Sequence, residues 1–394
     1  MIQEPYLLEL RWPGDRSPRV RLPASQTCGY HAPMSKGFLI QKIAIHPLEV
    51  PLIAPFTTSA SELEVVNNLA VSIELTNGAR GWGEVPILPP ITVEDQASAR
   101  TALADEAGRL AGENAGAWRR IAAEINERIP HLAAVRAGIE MALIDALTRS
   151  WGAALFQFFG GCENQVVTDI TIPICPAAAA QDLAARYRRA GFTTIKVKIG
   201  RDLGLDSERV RAIRRGHLEC RLVLDANAGY TPEQILALLR DLRLAAIEVA
   251  LLEQPVARED WEGLGKLARE AGMPVAADES CRSPADAIRI GAHKLAQVIN
   301  IKLAKCGVVK ALEIAAIARA SGLGLMIGGM VETRLAMGFS AHFAAGLGGF
   351  DWIDLDTPLL LSTDPIAGGY RVRGATYRLD TGCTGHGGYL RVRS

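Results

Sequence analysis

The chain has 394 residues, 49% of them apolar, and its 43 Lys and Arg balance its 43 Asp and Glu. That balance leaves no net field for nucleic acid or an anionic membrane, and no apolar run reaches the roughly 18 residues of a membrane span, so a small-molecule partner and a cytoplasmic location are expected. The seven cysteines, at 28, 162, 175, 220, 281, 306 and 383, are scattered, odd in number and form no CxxC, which argues for reduced thiols rather than a disulfide framework or structural zinc.

Residues 1–36 open the chain with a stretch rich in Pro, Arg and polar residues and without periodicity, which reads as an extension the fold does not need and as a candidate for disorder. A strand pattern starts at GFLIQKIAIHPLEV. A second follows in NLAVSIELTNGARGWGEV, where Asn77-Gly78 marks a hairpin turn. Three helical patterns come next: VEDQASARTALADEAGRL, AWRRIAAEINERI and AAVRAGIEMALIDALTRSWG. Residues 37–165 therefore predict an α+β module.

From residue 166 the pattern becomes repetitive. Short apolar runs end at or just before an ionisable residue: TTIKVKI at Lys196 and Lys198, RLVLDAN at Asp225, VALLEQP at Glu253, PVAADES at Asp278 and QVINIKL at Lys302. From Lys198 to Lys302 the charges lie 24 to 28 residues apart. Each gap fits a strand, a helix of about 11 to 12 residues and two short loops. The beat reaches back to VVTDITIP and forward through GLGLMIGG and FDWIDLD, which makes eight strands. Thr231-Pro232 and Ser283-Pro284 open helices between them, each with a capping hydroxyl followed by Pro at the first helical position.

An open doubly wound sheet gathers ligands at one switch point. A (β/α)8 barrel instead brings every strand's carboxyl end to one face, so charges at nearly all the ends favour a TIM-type barrel over residues 166–356. The short polar strands in residues 357–394 are expected to return to the first module.

Asp225, Glu253 and Asp278 end three consecutive strands, and three converging carboxylates repel unless a cation holds them. Oxygen-only ligands suit Mg²⁺ or Mn²⁺. Lys196 and Lys198, two apart on a strand, share a face, and their mutual repulsion is expected to lower the pKa of one towards that of a usable base. Lys302 ends strand six, half a turn round the barrel from strand two, so Lys198 and Lys302 are expected to face each other across the metal. Opposed bases suit a 1,1-proton transfer: one lysine removes an α-proton, the metal stabilises the enediolate, and the other lysine returns a proton to the opposite face.

With those residues in place, the chain resembles the muconate lactonising subgroup of the enolase superfamily, whose lysine base and Mg²⁺ are an established pairing. LDAN, LEQP, ADES and NIK look like its strand-end motifs, and EMALIDAL and FFGG look like its cap-to-barrel junction. The resemblance implies an α+β cap over a modified (β/α)7β barrel. Asp354 and Asp356 in WIDLDTPLLL resemble the Asp-x-Asp pair with which dipeptide epimerases hold a substrate's ammonium. It further implies that Lys196, Thr171, Met330 and Glu332 contact substrate and that Asn227 and Glu279 orient their neighbours.

The reading is thus a Mg²⁺-dependent dipeptide epimerase, expected to be a homo-oligomer. An o-succinylbenzoate synthase or an N-acylamino acid racemase would use the same lysines and metal, but its substrate has no free ammonium for the two aspartates. A non-catalytic binding protein on the same barrel is the other class. In the cap loop PFTTSASELEVV, Ser61 stands where epimerases of L-Ala-L-Glu place an Arg, and Glu62 and Glu64 are acidic, so neutral or cationic C-terminal residues are expected to be preferred.

Overall fold

The computed structural model describes residues 36–59, 61–89 and 91–391. The predicted extension lies outside them, apart from Lys36. Three antiparallel strands begin the fold, β1 (Ile40–Thr57), β2 (Glu62–Leu75) and β3 (Arg80–Val85), in that spatial order. Pro47, Pro51 and Pro55 are tolerated in β1 because it is an edge strand of its sheet, and its register on β2 slips between Pro51 and Phe56. The Asn77-Gly78 turn joins β2 to β3, with Gly78 at φ +85°.

Helices α1 (Gln96–Leu110), α2 (Trp118–Arg128) and α3 (Ala133–Ser150) complete the cap. α1 starts at a reciprocal cap between Asp95 and Ser98. α3 is buried all round, from Ala134 to Thr148, because the cap sheet covers one side of it and the barrel the other. β3 approaches it very closely: a Cβ at Gly81 would sit 2.1 Å from the Ala142 carbonyl oxygen, and one at Gly83 would sit 2.1 Å from that of Gly138. The two glycines of RGWGEV are what that contact requires.

A short strand, β4 (Gln165–Val167), precedes eight parallel strands. These are β5 (Ile170–Ile172), β6 (Thr194–Lys198), β7 (Arg221–Asp225), β8 (Leu251–Glu253), β9 (Val275–Ala277), β10 (Val298–Ile301), β11 (Gly324–Ile327) and β12 (Trp352–Ile353), each paired with the next in chain order. The curl closes where the Asp169 N–H donates to the Ile353 carbonyl (2.9 Å) and the Leu355 N–H donates to Thr168 Oγ1 (2.9 Å). Helices fill all seven gaps between these strands, whereas a 3-10 turn, Thr357–Leu360, follows β12. The architecture is therefore a modified (β/α)7β barrel under an α+β cap. Thr231 and Ser283 cap their helices as the sequence predicts, each with Pro in the first turn.

The last strands, β13 (Ile366–Ala367) to β16 (Tyr389–Leu390), include β15 (Thr376–Leu379), which pairs with β4. This segment also reaches the cap: the Ser362 N–H donates to the Pro51 carbonyl (2.8 Å), and the His386 N–H donates to Asp145 Oδ1 on α3 (2.7 Å).

Alternate strand residues point into the barrel. Val223, Leu251, Ala276, Val298, Met326 and Trp352 form one apolar layer there. Two residues further along the same strands come Asp225, Glu253, Asp278, Asn300, Gly328 and Asp354. The change from apolar to charged is what the sequence shows as a charge at the end of each apolar run.

Candidate active site

The cap covers the carboxyl ends of the strands. Ser59 Oγ donates to the carbonyls of Ala226 and Asn227 (3.1 Å each), and Asn68 Nδ2 donates to that of Val331 (3.0 Å). The cavity beneath has an apolar wall from both modules: Phe56, Leu63, Leu88 and Ile91 from the cap, Met330 and Val331 from the loop after β11. Its polar side comprises Thr171, Lys198, Asn227, Asp278, Glu279, Lys302, Asp354 and Asp356, with Arg282 and Lys305. Ser61 lines it too, but Glu62 and Glu64 do not.

Below the cavity, lysines and carboxylates interleave. Lys196 Nζ lies 3.0 Å from Asp225 Oδ2, 2.8 Å from Glu253 Oε2 and 2.6 Å from Asp354 Oδ2. Lys198 Nζ donates to Asp225 Oδ2 (2.6 Å). Across the barrel, Lys302 Nζ lies 2.7 Å from Asp278 Oδ2, and Lys305 Nζ 2.6 Å from Asp278 Oδ1. Lys196 is thus buried below the wall rather than part of it.

At Lys196 the expected depression of the pKa by a neighbouring lysine is not found. Burial opposes charge on Lys196, but Asp225, Asp354 and Glu253 outweigh it and hold the ammonium well above its ordinary range. Lys302 is also raised, by Asp278 against burial and Lys196. Carboxylates outnumber lysines here, so their field decides. Among the acids, burial and then Asp225 push Glu253 up to about 8, whereas Lys302 and Lys305 overcome burial to hold Asp278 well below the usual range.

Asp354 and Asp356 both reach the cavity, and Asp356 Oδ2 accepts the Thr171 N–H (2.6 Å). Burial and then Asp354 raise Asp356 to about 7. Asn227 sits at φ +41°, its N–H donating to Asp225 Oδ1 (3.0 Å) and its Nδ2 to Glu279 Oε1 (3.3 Å). Glu332 stands behind the wall, with Oε2 accepting the Met330 N–H (2.7 Å), so of the Met330–Glu332 stretch Met330 and Val331 face the cavity and Glu332 holds the loop.

Sequence reasoning missed several groups. Lys305 lies one helical turn after Lys302 and gives no strand-end signal. Asn300, whose Nδ2 donates to Glu253 Oε1 (2.8 Å), was legible as the inward residue before Lys302 in NIK. Asp169 falls ahead of its strand. Arg282 follows the ADES motif, and no ion pair forms to it among the described residues.

The oxygens of Asp225, Glu253 and Asp278 do not form one tight group, because the lysine ammonium groups stand between them. Among the described residues, the three acids that each bring one oxygen within 4.8 Å of the other two are Asp169, Asp354 and Asp356. Glu253 Oε2 and Asp278 Oδ2 are nevertheless buried without a hydrogen-bond partner, each facing only an ammonium group. Buried carboxylate oxygens with unused lone pairs, and no sulfur or imidazole beside them, fit a hard divalent cation.

Two family models match, the mandelate racemase/muconate lactonizing enzyme N-terminal domain over residues 41–160 and the enolase C-terminal domain-like family over 179–390. The L-Ala-D/L-amino acid epimerase of Populus trichocarpa is 51% identical over 357 residues, which cover 89% of this chain and 85% of that protein. The aromatic dipeptide epimerase of Herpetosiphon aurantiacus is 42% identical over 353 residues, 88% of this chain and 98% of its own. The dipeptide epimerase of Enterococcus faecalis, solved with Mg and L-Leu-L-Tyr, superposes with a TM-score of 0.86 at 31% identity, covering 89% of this chain and 99% of that one.

Proposed function

The chain belongs to the mandelate racemase/muconate lactonizing enzyme family of the enolase superfamily and, within it, to the dipeptide epimerases; from that premise we propose that it inverts the α-carbon of the C-terminal residue of an L,L-dipeptide. The observation that carries this reading is the pairing of two lysines on strands four apart, Lys198 and Lys302, with two aspartates, Asp354 and Asp356, that line the same cavity. The lysines supply an acid and a base, and the aspartates a seat for an ammonium group. The last feature favours a dipeptide over the acyl substrates of an o-succinylbenzoate synthase or N-acylamino acid racemase.

Asp225, Glu253 and Asp278 would hold the divalent cation, Mg²⁺ or Mn²⁺, which when bound supplies positive charge for the substrate's α-carboxylate. Lys196, now neutralising Asp225 and Glu253, adds positive charge at the same end. Lys198 and Lys302 work on opposite faces of the α-carbon. One takes the α-proton as an enediolate forms, and the other returns a proton from the far side. Thr171 fixes Asp356, Asn227 links Asp225 to Glu279, and the cap excludes water.

The wall of Phe56, Leu63, Leu88, Ile91, Met330 and Val331 suits an apolar C-terminal side chain. Scattered free cysteines support an enzyme of the cytoplasm, balanced charge supports one without a nucleic-acid or membrane partner, and no described helix is long and apolar enough to cross a membrane. A homo-oligomer completes the proposal. Incubation with L-Ala-L-Phe tests it: L-Ala-D-Phe should appear, EDTA should stop its formation, and Mg²⁺ or Mn²⁺ should restore it. Full activity in excess EDTA contradicts the metal-dependent reading.

A further inference from the structure

Thr168 and Asp169 lie just ahead of β5, at the seam where the curled sheet closes on β12. Two hydrogen bonds lace that seam, Asp169 N–H to the Ile353 carbonyl and Leu355 N–H to Thr168 Oγ1 (2.9 Å each). They carry the Asp169 side chain, only 4% exposed, to Asp354 and Asp356, so that one oxygen of each carboxyl lies within 4.8 Å of the other two.

Three buried carboxyl groups this close need positive charge or donors. Lys196 supplies one contact, at 2.6 Å from Asp354 Oδ2, and the Thr171 N–H supplies another to Asp356 Oδ2. Asp356 Oδ1 and Asp169 Oδ1 remain buried with no hydrogen-bond partner. Such a cluster lacks a cation with several donors, and a primary ammonium group has three. Asp354 and Asp356 line the active-site cavity whereas Asp169 does not, so Asp169 can act on a ligand held there only through them.

Resting on the dipeptide reading, we propose that Asp169 is a positioning residue for the substrate's N-terminal ammonium: its carboxyl backs Asp354 and Asp356, holds their free oxygens towards the cavity and so sharpens selection of a charged amine over an acylated one. The seam itself does not need that carboxyl. Its hydrogen bonds run through the backbone, Thr168 and Asp356, which lets the Asp169 side chain be removed while the closure stays.

The test uses the Mg²⁺-loaded protein with L-Ala-L-Phe as substrate and N-acetyl-L-Ala-L-Phe as competitive inhibitor, and reads the ratio of the inhibitor's Ki to the substrate's KM. In Asp169→Ala that ratio should fall about tenfold through KM, with kcat held within about threefold, because loss of a group that orients polar recognition costs the charged ligand more than its acylated analogue. Asp169→Ser serves as a second variant. The proposal is overturned if Ki and KM rise together or neither variant melts cooperatively, either of which assigns Asp169 to the fold alone, or if kcat falls while the ratio holds, which assigns it to the chemical step. Failure of the underlying reading looks different: the wild-type ratio would then be near one. A ratio that collapses in Asp356→Ala but persists in Asp169→Ala overturns the role of Asp169 while leaving the ammonium site intact.

Discussion

Two layers of the barrel interior, two residues apart on the same strands, obey opposite rules. Val223, Leu251, Ala276, Val298, Met326 and Trp352 pack as an apolar plug. One layer nearer the cap, Asp225, Glu253, Asp278 and Asp354 are as deeply buried, but each meets a lysine. The lower layer is stabilised by removing apolar surface from water, whereas the upper layer carries desolvation costs that ion pairing outweighs at Lys196, Lys302 and Asp278 but not at Glu253. Burial alone therefore does not mark a residue as structural here. Its height in the barrel does.

The largest effect that sharpens this contrast is on catalysis. Asp278→Asn and Glu253→Gln should each lower kcat by about 10²–10³-fold through lost charge at the reacting centre. In EDTA, Glu253→Gln should melt no lower than wild type, because it removes a buried carboxyl whose pKa is pushed up to about 8 by burial and Asp225. A clear fall in its melting temperature would put Glu253 with the lower layer.

Leu251→Ala tests the other layer. Truncating this fully buried side chain should cost roughly 2–5 kcal/mol in denaturant unfolding. Activity per folded molecule should remain near wild type, although Glu253 is only two residues away. A variant with full stability and little activity would reverse the assignment.

Spread over several pH units, and so smaller at any one pH step, is the effect at Glu332, outside the lysine lattice. Burial and then Glu84 raise its carboxyl from 4.5 to about 8. The folded state thus holds a proton that the unfolded chain releases, so the contribution of Glu332 to stability is present below 4.5 and is lost as pH rises to about 8. Glu332→Gln should flatten the decline in stability with pH over that window, by up to about 1.4 kcal/mol per pH unit. Parallel wild-type and variant curves would contradict the assignment.

The upper layer was legible in the sequence for the same reason that it is costly. A charge ending an apolar run is a local signal, and it located Lys196, Lys198, Asp225, Glu253, Asp278 and Lys302 together with the strands that bear them. Groups brought in by tertiary contact gave no such signal. Phe56, Leu63 and Leu88 reach the cavity only because the cap docks on the barrel, and Asp169 joins Asp354 and Asp356 only because the sheet closes. At Lys196 the pKa moves the other way from a lysine neighbour's repulsion, because carboxylates from adjacent strands surround the ammonium group. Glu332 was assigned to the cavity with its loop, but its carboxylate turns back to hold the Met330 backbone.

Lys198 and Lys302 are assigned to opposite sides of one α-carbon, and the rest of the proposed chemistry follows from that placement. α-Proton exchange in D₂O, followed separately for L-Ala-L-Phe and L-Ala-D-Phe with Mg²⁺-loaded Lys198→Ala and Lys302→Ala, tests that directly. Neither variant should epimerise, and each should exchange deuterium into a different one of the two epimers. Exchange into the same epimer by both variants, or epimerisation near the wild-type rate by Lys302→Ala, would contradict the two-base account.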